Sequence, residues 1–301
     1  MSNPNRLNLS AGVFSVCVAV SLVLAKLWAL SQTGSLSIAA TLADSALDLL
    51  MSMGGLAAIA YAAKPADYDH AFGHSSAEDL AALGQSAFII VSAFAILAAA
   101  GVRFMSGSSG AIENEMAGMS VMVLSIVLTV ALVSYQAFVS KRTGNRVVAA
   151  DSLHYIGDLI PAIGAIIALW ANRQFGIGYI DNVVAVLAAL IMIGGAVKIG
   201  KGAWDALMDR AADDDTVASI AGIAGNFAGV HGFHDLKTRK AGSRVFVNLH
   251  IELDGKQSLE DAHAIGAALR RKIVEAHPNA DVLIHKDPIG VQPHPDDTRH
   301  H

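Results

Sequence analysis

Four aspartates and one histidine lie in stretches of this 301-residue chain that are otherwise as apolar as lipid tails. Asp44 and Asp48 occur in ADSALDLL, and Asp151, His154 and Asp158 in ADSLHYIGDL. Helical residues three and four apart share a face, so each set presents its polar atoms in one direction. A carboxylate at the centre of a bilayer costs at least ~2.5 kcal/mol, too much for a cluster of them to be an accident. Three chemistries would justify it: pairing that fastens helices together, a proton relay, or metal ligation. Pairing lacks a cation at the same depth, with Lys26 the one exception. Three carboxylates and an imidazole supply the four N/O ligands that a tetrahedral Zn²⁺ site wants, and a bound dication neutralises much of the clustered charge. Spacing alone leaves Asp151 as a possible fifth ligand.

These residues need helices that cross a membrane. The chain is 53% hydrophobic with a mean hydropathy of +0.48, above the apolar share of about 45 to 50% usual in soluble domains. Windows of about 20 apolar residues predict six spans, at about 10–31, 36–62, 79–102, 117–140, 147–171 and 180–200. The first is too long for a cleaved signal peptide and is expected to remain. A rise of 1.5 Å per residue puts Asp44 about 12 Å, His154 about 10 Å and Asp158 about 16 Å into the lipid. Both sets therefore sit near the middle of a core about 30 Å thick. Arg6, Lys64, Lys141, Arg142, Arg146 and Lys201 fall on one side, and only Arg103 and Arg173 on the other. This bias predicts that both termini are cytoplasmic. Lys26, in the first span, is expected to snorkel to the outer interface. Pro161 deprives the Gly157 carbonyl of its helical partner, which is either a bend beside the site or an ordinary membrane proline. A single cysteine, Cys17, excludes an internal disulfide. A net charge of -5 without blocks of like charge argues against a nucleic-acid partner.

Beyond Arg210 the composition changes, and every histidine except His70, His74 and His154 lies there. A helix is predicted from the acidic cap DDDT at 213–216 to about Phe227, then a strand around FHDLKTR. In SRVFVNLHIELD, Val245, Val247, Leu249, Ile251 and Leu253 alternate with Phe246, Asn248, His250 and Glu252, the pattern of a strand with one buried face. A helix capped by Ser258, with Asp261 three residues on, and a closing strand at DVLIH complete an αββαβ unit. Two helices on one face leave the other bare, a surface that another copy or domain usually covers. The predicted organisation is a six-helix membrane domain over 1–210, a soluble α+β domain over 211–290, and a disordered tail over 291–301 that holds His294, His300 and His301.

Six spans, DxxxD in the second, HxxxD in the fifth, the αββαβ tail and the strings PADYDHAFGH, ADSLHYIGD, FHDLKTR and IHKDP together resemble the cation diffusion facilitator family, in its ferrous-iron/zinc efflux branch. The resemblance spans nearly the whole chain. It implies a multi-pass transporter of the inner (cytoplasmic) membrane, not an enzyme, that exports divalent cations, Zn²⁺ first and Cd²⁺, Fe²⁺ or Mn²⁺ as other cargo, by proton antiport as a homodimer. It also implies a ferredoxin-like, metallochaperone-like cytoplasmic domain. Its transport ligands would be Asp44, Asp48, His154 and Asp158, with Asp151 left out. A loop site would comprise Asp67, His70 and His74, with Asp69 as an alternative to Asp67. A regulatory zinc cluster at the dimer contact would comprise His234, His250, His263, His285 and Asp287. One position departs from the pattern: Ser76 stands where that branch often has a lysine paired with an aspartate at the end of the sixth span, here Asp209. Two rival readings use the same residues, a membrane metal sensor without transport and an intramembrane metalloenzyme. The second lacks both HExxH and a spare general base.

Overall fold

The computed structural model describes residues 4–33, 36–106, 116–175 and 180–290; the expected tail lies outside them. The chain divides into two compact units between Trp204 and Asp205. The first holds six long helices: α1 (Pro4–Thr33), α2 (Leu36–Ala62), α3 (Ser76–Ser106), α4 (Met116–Thr143), α5 (Arg146–Phe175) and α6 (Ile180–Leu207). Each contains one predicted window and extends to or past its ends. Among the described residues, α1, α2, α3, α4 and α6 are long and apolar enough to cross a membrane. α5 has the length, at 30 residues, but carries the charges of Arg146, Asp151 and Asp158 in its first half. It continues through Pro161.

Close packing in this unit relies on small residues, as in membrane bundles generally. A Cβ on Gly157 of α5 would meet the Met192 sulfur at 2.5 Å, and one on Gly195 of α6 would meet Leu153 at 2.7 Å. Either substitution would require the facing Met192 or Leu153 side chain to move. Arg146 at the start of α5 donates to Asp79 of α3 at 2.5 Å, and the Asp79 side chain is buried.

The second unit runs α7 (Asp214–Gly225), β1 (Gly232–Ala241), β2 (Arg244–Leu253), α8 (Leu259–Ala276) and β3 (Ala280–Pro288), the predicted αββαβ order. β2 is central, antiparallel to β1 and parallel to β3. The five alternating apolar residues of β2 are all buried with Ile220 and Ala224 of α7 and Leu269 and Ile273 of α8. The opposite face keeps Asn248 exposed and His250 and Glu252 half-buried. Phe246 departs from this alternation and is buried too, because the Arg239 guanidinium lies 4.2 Å from its ring centre.

Both helix caps are those expected. Ser258 Oγ accepts from the Asp261 amide at 3.1 Å and donates to its carboxylate at 2.6 Å. Asp213 accepts from the Thr216 amide at 3.0 Å and the Thr216 hydroxyl at 2.7 Å, and from Lys240 at 2.7 Å. The Lys240 ammonium, then the two Thr216 donors, hold the Asp213 carboxyl well below the usual carboxylate range. A depressed folded value means that this contribution is complete above the unfolded value near ~3.9 and is lost as pH falls below it. Asp213→Ala should therefore destabilise α7 by about 1 kcal/mol at neutral pH. Amide hydrogen exchange of α7 in the full chain reads this directly, and the difference from the parent should shrink on acidification below about pH 4.

Candidate metal centres

Among the described residues, three groups of side chains each offer ligand atoms within 4.8 Å of one another: Asp48, His154 and Asp158; Asp67, His70 and His74; and His234, His250 and Asp287, which His285 flanks. The first lies in the helical unit. His154 Nε2 is 3.0 Å from Asp48 Oδ1 and 4.0 Å from Asp158 Oδ2, and Asp48, His154 and Asp158 each offer an atom within 4.8 Å of the others. The His154 side chain is buried, whereas that of Asp158 is 50% exposed, so the group is fixed on one side and accessible on the other. His154 Nδ1 is buried without a hydrogen-bond partner. Asp44, one turn before Asp48 on α2, is exposed and stands outside the group. The structure thus brings together three of the four predicted ligands.

Asp151 has another occupation. Its Oδ2 accepts from Ser15 of α1 at 2.5 Å and Gln136 of α4 at 2.6 Å, and its Oδ1 from Ser52 of α2 at 3.4 Å. Ser52 also meets Ser15 at 2.9 Å and the Tyr155 hydroxyl at 3.0 Å. Asp151 is therefore a buried acceptor tying four helices together, and the spacing that made it a possible fifth ligand does not decide its role. A cavity of about 10 Å³, lined in part by Ser52, Gln136 and Asp151, adjoins it.

Lys26 corrects an expectation. It does not snorkel: its Nζ donates to Ser45 Oγ at 2.6 Å and to the Thr41 carbonyl at 3.1 Å. About 10 Å of helix separates it from the end of α1, whereas α2 offers acceptors alongside.

The second group, Asp67, His70 and His74, occupies the segment between α2 and α3. Asp67 Oδ1 is 3.3 Å from His70 Nδ1, and Oδ2 is 3.3 Å from His74 Nε2. A helix would have supplied this spacing, but the segment is built of turns. The His70 amide donates to Asp67 Oδ1 at 2.8 Å, and the chain reverses at Gly73, whose φ of 87° suits glycine. The His70 amide is the main reason the Asp67 carboxyl lies below its ordinary range. His74 is buried, with Tyr61 edge-on at 4.7 Å. Asp69 is not part of this group.

The third group lies on the sheet face opposite α7 and α8. The register pairs His234 of β1 with His250 of β2, and His250 with His285 of β3, so three imidazoles form a row across the strands. Their ring centres are 5.1 and 4.6 Å apart. Asp287, two residues beyond His285 and on the same face, is 2.9 Å from His250 Nδ1, 3.6 Å from His234 Nε2 and 3.2 Å from His285 Nε2. Its two oxygens therefore serve both sides of the row. His263 is exposed on α8 and is not brought to this face within one chain.

Two acids in this group were not foreseen from sequence. Glu252 Oε1 lies 3.3 Å from His234 Nδ1, and Asp235 Oδ2 lies 4.0 Å from His250 Nε2. Glu252 was legible, since it shares the alternation of His250. Asp235 was not: a β-bulge between His234 and Lys237 shifts the register and gives Asp235 a φ of 49°, re-aiming its side chain as bulges do. Asp209, the expected partner of a lysine at position 76, pairs with Arg239 at 3.1 Å.

Residues 13–235 match the model of the cation efflux transmembrane domain, and residues 212–289 that of the cytoplasmic domain of cation efflux proteins. The chain is 43% identical over 279 residues to the cation-efflux pump FieF of Shewanella oneidensis, covering 93% of each. It is 36% identical over 290 residues to protein p34 of Rickettsia rickettsii, covering 96% of this chain and 95% of that one. Among solved structures, the metal-bound C-terminal domain of the CzcD transporter from Thermotoga maritima is 32% identical and covers 26% of this chain and 93% of that domain, with a TM-score of 0.25.

Proposed function

Because the chain belongs to the cation diffusion facilitator family, we propose that it exports a divalent metal, Zn²⁺ first, across the cytoplasmic membrane in exchange for protons, as a homodimer. The observation that carries this reading is the convergence of Asp48, His154 and Asp158 within 4.8 Å on long helices of a membrane unit. Residues 1–210 carry transport and 211–290 dimerise and regulate. Asp44 completes the ligand set from the preceding turn of α2, and both termini face the cytoplasm.

The chemistry follows from the donor types. Carboxylates and imidazole bind metal only when deprotonated, so metal and protons compete for the same atoms. Metal entering from the cytoplasm displaces protons, and protons entering from outside displace metal. Alternate exposure of one site to the two faces then couples both fluxes. Oxygen-rich ligand sets select weakly among divalent transition metals, so Cd²⁺, Fe²⁺ and Mn²⁺ are secondary cargo. The test is a metal panel in proteoliposomes, with and without an imposed proton gradient. Zinc uptake that ignores the gradient would refute antiport, and the absence of any metal flux would favour a sensor.

The donor sets of the other two groups fit metal as well. Asp67, His70 and His74 would hold one ion. His234, His250, His285 and Asp287 would hold ions on the bare face of the sheet, joined by His263 at the dimer contact. Bound there, zinc would draw two copies together and favour one transport conformation. His250→Ala should abolish the zinc-induced gain in dimer affinity, read by analytical ultracentrifugation of the full chain in detergent. An undiminished gain would remove His250 from the regulatory set.

A further inference from the structure

We propose that Lys26 is the built-in counter-charge of the transport site, setting its total charge to match a divalent cargo. This rests on the reading that Asp44, Asp48, His154 and Asp158 hold that cargo.

The Lys26 ammonium lies against the stretch of α2 that carries Asp44 and Asp48, two of the four ligands. Its hydrogen bonds go elsewhere, to Ser45 Oγ at 2.6 Å and the Thr41 carbonyl at 3.1 Å. Ser45 lies between Asp44 and Asp48 in sequence and is buried. The ammonium is thereby pinned beside the ligands without sitting on them, and no coordination position is spent on it. Three carboxylates, a neutral imidazole and one ammonium leave two negative charges. That is the charge a dication cancels, and metal ligation requires the imidazole neutral. Without Lys26 the site would carry a third negative charge in a poorly screened environment. Metal would then bind more tightly and leave more slowly.

A purely packing role fits less well. The polar contacts to Ser45 and Thr41 need only a donor, which a glutamine supplies. A full positive charge inside a bilayer is costly, and neighbouring carboxylates offset part of that cost.

The test is Zn²⁺ binding to the full-length protein in detergent, comparing the parent with Lys26→Gln, Lys26→Met, Lys26→Arg and Asp48→Ala. The binding component that Asp48→Ala removes is the transport site. Lys26→Gln, which keeps a donor for Ser45, and Lys26→Met should each tighten that component by at least tenfold, a lower bound on the effect of one charge lying within about 10 Å of a dication in an effective dielectric of about 20. Both should also slow zinc turnover in proteoliposomes, whereas Lys26→Arg should stay within about twofold of the parent. If Asp48→Ala removes a component that neither uncharged variant tightens, the counter-charge role is overturned while the transport site stands. If Asp48→Ala removes no component, both readings fall together.

Discussion

Alanine at Asp48 or at His154 should lower zinc flux through the reconstituted protein by more than about a hundredfold, since even groups that only support metal ligands cost 10- to 100-fold when removed. The two side chains face each other at 3.0 Å across α2 and α5, so either change leaves the remaining partner without its counterpart in a largely buried position. The effect should fall on transport and not on folding, because the α1, α2, α4 and α5 contacts around Asp151 do not involve either residue. Flux is measured in proteoliposomes with a proton gradient, and protein integrity by gel filtration in detergent. Flux near the parent value in either variant would place the transport site elsewhere. A double variant should be no worse than the more damaging single one, because both changes disable one site and such effects do not add.

The spans were legible because a membrane helix announces itself by length and apolarity, and the Asp48, His154 and Asp158 group because helical spacing puts DxxxD and HxxxD each on one face. The strict alternation of β2 likewise gave its buried and bare faces, and Ser258 and Asp213 marked two helix starts by their capping chemistry. What escaped depends on partners far away in sequence. Nothing near Lys26 shows that Ser45 and Thr41 of another helix will hold its ammonium. The bulge that aims Asp235 at His250 is a matter of strand register, which side-chain types do not encode locally. His70 and His74 were spaced for a helix, yet turns assemble them. The duplicated ADS stretch is the clearest case: Asp44 and Asp151 share their sequence context, but Asp44 is exposed while Asp151 is enclosed by Ser15, Ser52 and Gln136.

Asp151→Ala should accordingly injure stability and leave metal binding at the transport site intact. Removing the carboxylate strands the buried Gln136 donor, now at 2.6 Å from it, while the Ser15 hydroxyl can still turn to Ser52 at 2.9 Å. A buried donor left without a partner costs about 1 to 3 kcal/mol, so the expected loss is about 2 kcal/mol. Asp151→Asn keeps one acceptor oxygen and most of the shape, and should lose only about 1 kcal/mol, the net worth of a typical hydrogen bond. Thermal unfolding in detergent should therefore rank the parent above Asp151→Asn and that above Asp151→Ala. Zinc affinity of the component removed by Asp48→Ala should be unchanged in both. The opposite pattern, an unaltered melting temperature with lost zinc binding, would make Asp151 a ligand after all.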